Sequence, residues 1–201
     1  MTKWLATLLF VVGCGSAPGT KTTNAQGFWV VGQLNLALFQ PDTGEIAAAD
    51  ARTGAPLWRA HRMLTPDPPF SRNFPQPLLC PPVLTSDRHL VLRYPEGVYS
   101  IEAATGQILW MQRLAPPALC AAVTPDGGVI VITARRKVVT KFDRGGTLEW
   151  KTTLPFDAVA LTGPDVLEST GDVLVRTNGH LVSLTSKGDV KWSESATSPE
   201  P

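Results

Sequence analysis

The 201-residue chain is short of charge: Asp, Glu, Lys and Arg make up 17% of it, against the roughly 25% usual in soluble proteins. Eighteen basic and 17 acidic side chains leave a formal net charge of +1. That excludes the basic stripe that nucleic-acid binding requires, and the acidic tail of a charge-driven interaction segment. Histidine is scarce. His61, His89 and His180 fall in no H-x-x-H or H-E-x-x-H spacing, so no zinc-hydrolase motif is present. No glycine-rich phosphate loop and no G-x-S-x-G nucleophile turn occurs. The apolar run that opens the chain, Trp4 to Val12, is nine residues, far short of the roughly 20 that cross a bilayer as a helix.

Glycine (17) and proline (18) are plentiful and spread along the chain, which suits many short strands joined by tight turns. The tryptophans give those strands a period. Trp58, Trp110, Trp150 and Trp192 are separated by 52, 40 and 42 residues, and each follows a glycine by four: Gly54, Gly106, Gly146 and Gly188. Ahead of each glycine lies a strand-like run, at Ile46 to Asp50, Val98 to Glu102, Val138 to Asp143 and His180 to Thr185. Another run precedes each of these, at Asn35 to Gln40, His89 to Tyr94, Val129 to Ala134 and Asp172 to Thr177. A more variable first strand opens each unit, at Phe28–Val31, Leu79–Leu84, Leu119–Thr124 and Val159–Leu161. Four short strands in about 40 residues is the size of one propeller blade. The predicted class is therefore all-β: a β-propeller of about four four-stranded antiparallel blades over residues 27–195, followed by a polar tail at 196–201. The 52-residue gap is accounted for by a proline-rich insertion, Leu64 to Pro77. Its Phe70 and Phe74 make it either a partner contact or a plain linker. Asp50, Glu102 and Asp143 recur with the period, which assigns them to turn capping rather than acid/base chemistry.

Ala48 to Trp58 reads A-x-D-x-x-T-G-x-x-x-W, and Ser100 to Trp110 reads S-x-E-x-x-T-G-x-x-x-W. These segments resemble the repeat of quinoprotein-like (PQQ-like) β-propellers, and the likeness extends over about residues 28–195. The resemblance implies that each Trp docks between the small residue of its own repeat and the turn glycine of the next, so the eight Trp and Gly positions are structural. It does not imply a cofactor here: quinone-binding members are longer and often carry adjacent cysteines, which this chain lacks. No cofactor, no metal and no enzymatic activity are expected.

Lys3, the apolar run and Val11-Val12-Gly13-Cys14 resemble a bacterial lipoprotein signal, in which the cysteine is lipidated and becomes the N-terminus. This makes residues 1–14 a signal segment ending at Cys14 and residues 15–26 a polar tether. Gly15 at the position after the cysteine implies the outer membrane. Cys80 and Cys120 each lie 30 residues before their blade's Trp, in the similar contexts LLCPPV and ALCAAV. They are either a disulfide, which an exported protein would retain, or two buried small apolar groups. With a lipid anchor and a Trp repeat, the chain resembles the lipid-anchored propellers of outer-membrane β-barrel assembly. That implies a non-catalytic scaffold binding other envelope proteins on the periplasmic side. A small-ligand sensor, or a remnant of a quinoprotein-type dehydrogenase using the channel, is the alternative. Ring closure is left between a tight monomeric ring, with Trp192 on the Gly54 turn, and a homodimer of two half-rings; the tight ring is the expected form.

Overall fold

The computed structural model describes residues 28–40, 45–61, 81–94, 97–114, 118–133, 137–156, 163–177 and 179–195, with the side chains at 28 and 118–120 outside that set. Among these residues there are sixteen strands in four antiparallel sheets, each sheet formed by four strands in simple chain order. Blade 1 comprises β1 (Phe28–Val31), β2 (Leu36–Phe39), β3 (Glu45–Asp50) and β4 (Pro56–His61). Blade 2 comprises β5 (Val83–Leu84), β6 (His89–Tyr94), β7 (Gly97–Glu102) and β8 (Ile108–Arg113). Blade 3 is β9 (Ala118–Val123), β10 (Val129–Thr133), β11 (Val138–Phe142) and β12 (Leu148–Thr153). Blade 4 is β13 (Asp165–Val166), β14 (Val173–Thr177), β15 (His180–Leu184) and β16 (Val190–Ser195).

The middle strands of the interior blades are mostly apolar and buried because both their faces are covered by neighbouring blades. VIVIT of β10 is buried at every residue, and HLVLRY of β6 at every residue but the first. Alternation along a strand divides each run between two seams. Leu90 and Leu92 pack with blade 1 residues Leu36, Leu38, Ile46 and Trp58, whereas Val91 joins Val129, Val131 and Phe142 of blade 3. Ile130, Ile132 and Val139 pack in turn with Val173, Val175 and Val182 of blade 4. Three clusters thus stitch blade 1 to 2, 2 to 3 and 3 to 4.

No cluster among the described residues joins blade 4 back to blade 1, and β16 is exposed at all six residues. The tight ring with Trp192 on the Gly54 turn is therefore not the observed arrangement. Among the described residues the four blades form a series joined by three seams.

The first strands also differ from expectation. In blade 2 the paired residues are Val83–Leu84 only, and in blade 4 they are Asp165–Val166, beyond the expected Val159–Leu161, which lies outside the described residues. A first strand is an edge held by one ladder, so two residue pairs suffice and its apolar pattern is weak. The remaining strands fall within about a residue of the expected bounds.

Candidate functional site

Each blade turns from its third to its fourth strand through a glycine of positive φ: Gly54 (+73°), Gly106 (+76°), Gly146 (+84°) and Gly188 (+92°). Carboxylates brace these turns. Asp50 Oδ1 accepts from the Arg52 and Thr53 N–H groups and from Thr53 Oγ1, and Asp143 Oδ1 accepts from Thr147 N. Those local bonds also hold the Asp50 carboxyl below its usual range, the Thr53 and Arg52 backbone bonds dominating. Four residues later the Trp stands directly across from the third strand: Ala48 from Trp58, Ser100 from Trp110, Lys141 from Trp150 and Ser183 from Trp192. In all four blades the register slips immediately beyond that pair, at the same place. Such a bulge bends a strand and re-aims its side chain.

The aim is at the next blade. A Cβ on Gly106 would stand 2.5 Å from Trp58 Cε3, one on Gly146 2.7 Å from Trp110, and one on Gly188 2.7 Å from Trp150. Glycine is needed here on two counts, the positive φ and the indole lying on its Cα. Each indole also donates across the seam: Trp58 Nε1 to the Ala103 carbonyl at 2.9 Å, Trp110 to Arg144 at 2.9 Å and Trp150 to Ser186 at 3.0 Å. Two residues further on, Gln112 Nε2 donates to the Gly146 carbonyl and Thr152 Oγ1 to the Gly188 carbonyl. Trp192 has the same strand position but no such seat: it is 37% exposed, against 9% for Trp58.

Two polar assemblies escaped the sequence reading. Lys141 occupies the small-residue position of blade 3, is 5% exposed, and places Nζ 2.7 Å from Asp126 Oδ2 and 2.8 Å from Glu149 Oε2. Burial works against both charges. Hydrogen bonding outweighs it, holding Asp126 at about 2 through Lys141, Thr124 and the Gly128 N–H, and raising Lys141 through Asp126 and Glu149. The signal was there in the break of small residues, Ala48, Ser100, Lys141, Ser183, but a lone lysine in a strand reads as solvent-facing. The second assembly ties blade 2 to blade 3: Asp87 Oδ2 lies 2.5 Å from Arg144 Nη2 and 3.2 Å from His89 Nδ1. The His180 ring stacks on Phe156 at 3.6 Å and 4°.

Of the other expected positions, Cys14, Phe70, Phe74 and Cys80 lie outside the described residues, as do the signal segment, the tether, the tail and the 64–77 insertion. Cys120 is on β9, with its side chain outside that set. Among the described residues, no three His, Cys, Asp or Glu side chains group as a metal site, and no helix is long and apolar enough to cross a membrane. A shallow depression of about 320 Å³ lies on blade 1 between Phe39, Ala47, Leu57 and Arg59.

Indoles seated on the turn glycine of the following repeat are the feature that comparison with known proteins has to match. Residues 42–201 match the family described as outer membrane protein assembly factor BamB. The chain belongs to this family. BamB of Yersinia pestis is 25% identical over 159 residues, covering 78% of this chain and 39% of its own length. BamB of Moranella endobia (strain PCIT) is 26% identical over 154 residues, covering 75% and 39%. The chain thus spans about two fifths of the length of these relatives. Among solved structures, BamB from Moraxella catarrhalis superposes with a TM-score of 0.62 at 16% identity, over 85% of this chain and 50% of that one. The WD40 propeller of Doa1 (0.55, 16%, 79% and 49%) and a streptogramin B lyase (0.58, 11%, 84% and 54%) share the fold alone.

Proposed function

We propose that this BamB-family chain is a non-catalytic protein-binding scaffold of the bacterial cell envelope, held at the outer membrane by lipid on Cys14 and serving outer-membrane protein assembly. The observation that carries this reading is the family match over residues 42–201, together with a framework in which side-chain chemistry is spent on the seams. Three indoles and the Asp87–Arg144 pair bind blade to blade, while the Lys141 cluster braces blade 3 within itself. Such a stack is rigid, and its function falls to loops, which rigid scaffolds present to partners. In the up-down strand order the second strand of each blade ends, the third begins and the fourth ends at one common end of the sheet. The 64–77 insertion with Phe70 and Phe74 is the proposed contact.

Two experiments test the reading. Cross-linking followed by pulldown from detergent-solubilised envelopes is expected to recover outer-membrane assembly proteins, and to lose them when Phe70 and Phe74 are replaced by Ser. Recovery unchanged by those replacements refutes the assigned contact. Recovery of no assembly protein refutes the scaffold role. Metabolic labelling with a fatty-acid analogue is expected to tag the wild type and not Cys14→Ser; equal labelling of both removes the anchor.

A further inference from the structure

We infer that the outer edge of β8 is a docking site for an extended segment of another polypeptide, which adds to blade 2 as a fifth strand. The fourth strand ends each sheet, so among the described residues its outer backbone edge is unpaired in all four blades. Blade 2 has a blade packed on either side, so the state of its edge does not turn on what lies beyond the series. An open edge offers a row of N–H and C=O groups, which another extended backbone satisfies together.

What separates β8 from the other three edges is charge. Folded proteins guard such edges with charged side chains, above all lysine, and with proline. In each blade the bulge falls just before the Trp, and four residues from the Trp onward pair without interruption. One of the two residues after the Trp is charged in three of these stretches: Arg59 in β4, Lys151 in β12 and Glu194 in β16. In β8 those two residues are Met111 and Gln112, and a charge comes only at the last residue, Arg113. The bulged residue repeats the pattern. Glu149 and Lys191 stand there in blades 3 and 4, each held by an ion pair within its own blade, to Lys141 at 2.8 Å and to Asp172 at 2.7 Å. Blade 2 has Leu109 there, 40% exposed. Blade 1 also has a leucine, Leu57, but Pro56 beside it has no N–H to offer an incoming strand.

The flanking side chains define what the added strand carries. Met111 packs toward the seam with blade 1 and Trp110 toward the seam with blade 3, both half-buried, so each face of an added strand finds an apolar neighbour. β-Branched and aromatic residues suit both neighbours, and proline is excluded. A flexible segment fits this edge better than a folded sheet does. The bulge bends β8 at Leu109, and a rigid partner edge has to match that bend over a four-residue stretch, whereas an unstructured segment takes up the twist as it pairs.

The test uses the full chain and a soluble peptide in which valine and threonine alternate between glutamate-capped ends. Calorimetric titration is expected to show saturable binding. Hydrogen exchange is expected to show new protection at the backbone amides of Ile108–Arg113, with none in β12 or β16. The same peptide with alternate backbone amides N-methylated cannot pair and is expected not to bind. Leu109→Lys gives β8 the residue that blade 4 has at its bulge. It is expected to weaken binding about tenfold or more. The circular dichroism spectrum is expected to stay unchanged, because the leucine is exposed. No binding at millimolar peptide, protection confined to another strand, equal affinity for the N-methylated peptide, or binding unaffected by Leu109→Lys each overturns the inference. Self-association of the chain without peptide, protecting the same amides, overturns it in favour of a second copy.

Discussion

The same tryptophan occurs at two kinds of place in this molecule. Trp58, at an inner seam, has its indole on a glycine Cα, its N–H on a carbonyl of the next blade, and aliphatic side chains on the flanks. Trp192, on the fourth blade, has the same kind of strand position, the same preceding bulge and a small partner, Ser183, yet is 37% exposed. The local sequence builds the donor in both. What separates them is whether a glycine turn lies opposite, which is a property of the neighbouring blade. Seam strength in a stack of repeats is therefore a nearest-neighbour quantity.

The comparison is broken most severely by truncating an inner indole. Trp58→Ala is expected to cost about 3–5 kcal/mol in denaturant unfolding, the range for a large aromatic removed from a core. The same truncation at Trp192, measured in dilute monomeric chain, is expected to cost no more than about 0.5 kcal/mol. Equal losses at the two sites would erase the distinction.

A smaller effect separates space from backbone strain at the glycines. Gly106→Ala drives a Cβ to 2.5 Å from the Trp58 ring and demands a positive φ, for an expected loss of roughly 2–4 kcal/mol. Gly179 has a similar φ of +78° but nothing within 4 Å of an added Cβ. Gly179→Ala is expected to cost roughly 1–2 kcal/mol, the backbone strain by itself. If thermal melts show the two alanines equally harmful, the indole contact at Gly106 contributes nothing.

The smallest effect concerns the blade 3 seam, where a lysine replaces the small residue. Asp126 falls from 3.8 to about 2 on folding, so the folded state favours its ionised form. Its contribution is fully present above about pH 4 and is lost as pH falls from there through about 2. Because the Asp126 side chain is 58% exposed, solvent screening limits the contribution to about 1 kcal/mol or less. Asp126→Asn is expected to flatten the acid limb of stability against pH in that window and to lower stability at neutral pH by that same amount, about 1 kcal/mol or less. An acid limb identical in the two proteins removes the cluster from the seam's energetics.

These contrasts mark how much could be read from the sequence. The G-x-x-x-W period and the apolar middle strands were legible because they are local: a turn needing positive φ, a Trp at fixed spacing, and runs such as VIVIT buried on both faces. Of the first strands, Phe28–Val31 and Ala118–Val123 were legible too, but the blade 4 strand was not, since the two residue pairs of Asp165–Val166 leave almost no pattern. Lys141 was illegible for a different reason. Its burial depends on Asp126 fifteen residues earlier and on Glu149, the bulged residue of β12, a pairing that exists only after folding. The fate of Trp192 was likewise hidden, because the open end depends on how four blades curve.

Hydrogen exchange at the assigned indole N–H groups, followed by NMR on the dilute full chain, tests most directly the claim that tryptophans seated across seams hold the blades together. The N–H groups of Trp58, Trp110 and Trp150 donate to carbonyls of the following blade and are expected to exchange slowly, with Trp192 fast at low concentration. Four equally protected indoles in dilute monomer, or a Trp58 that exchanges as fast as Trp192, would contradict the account.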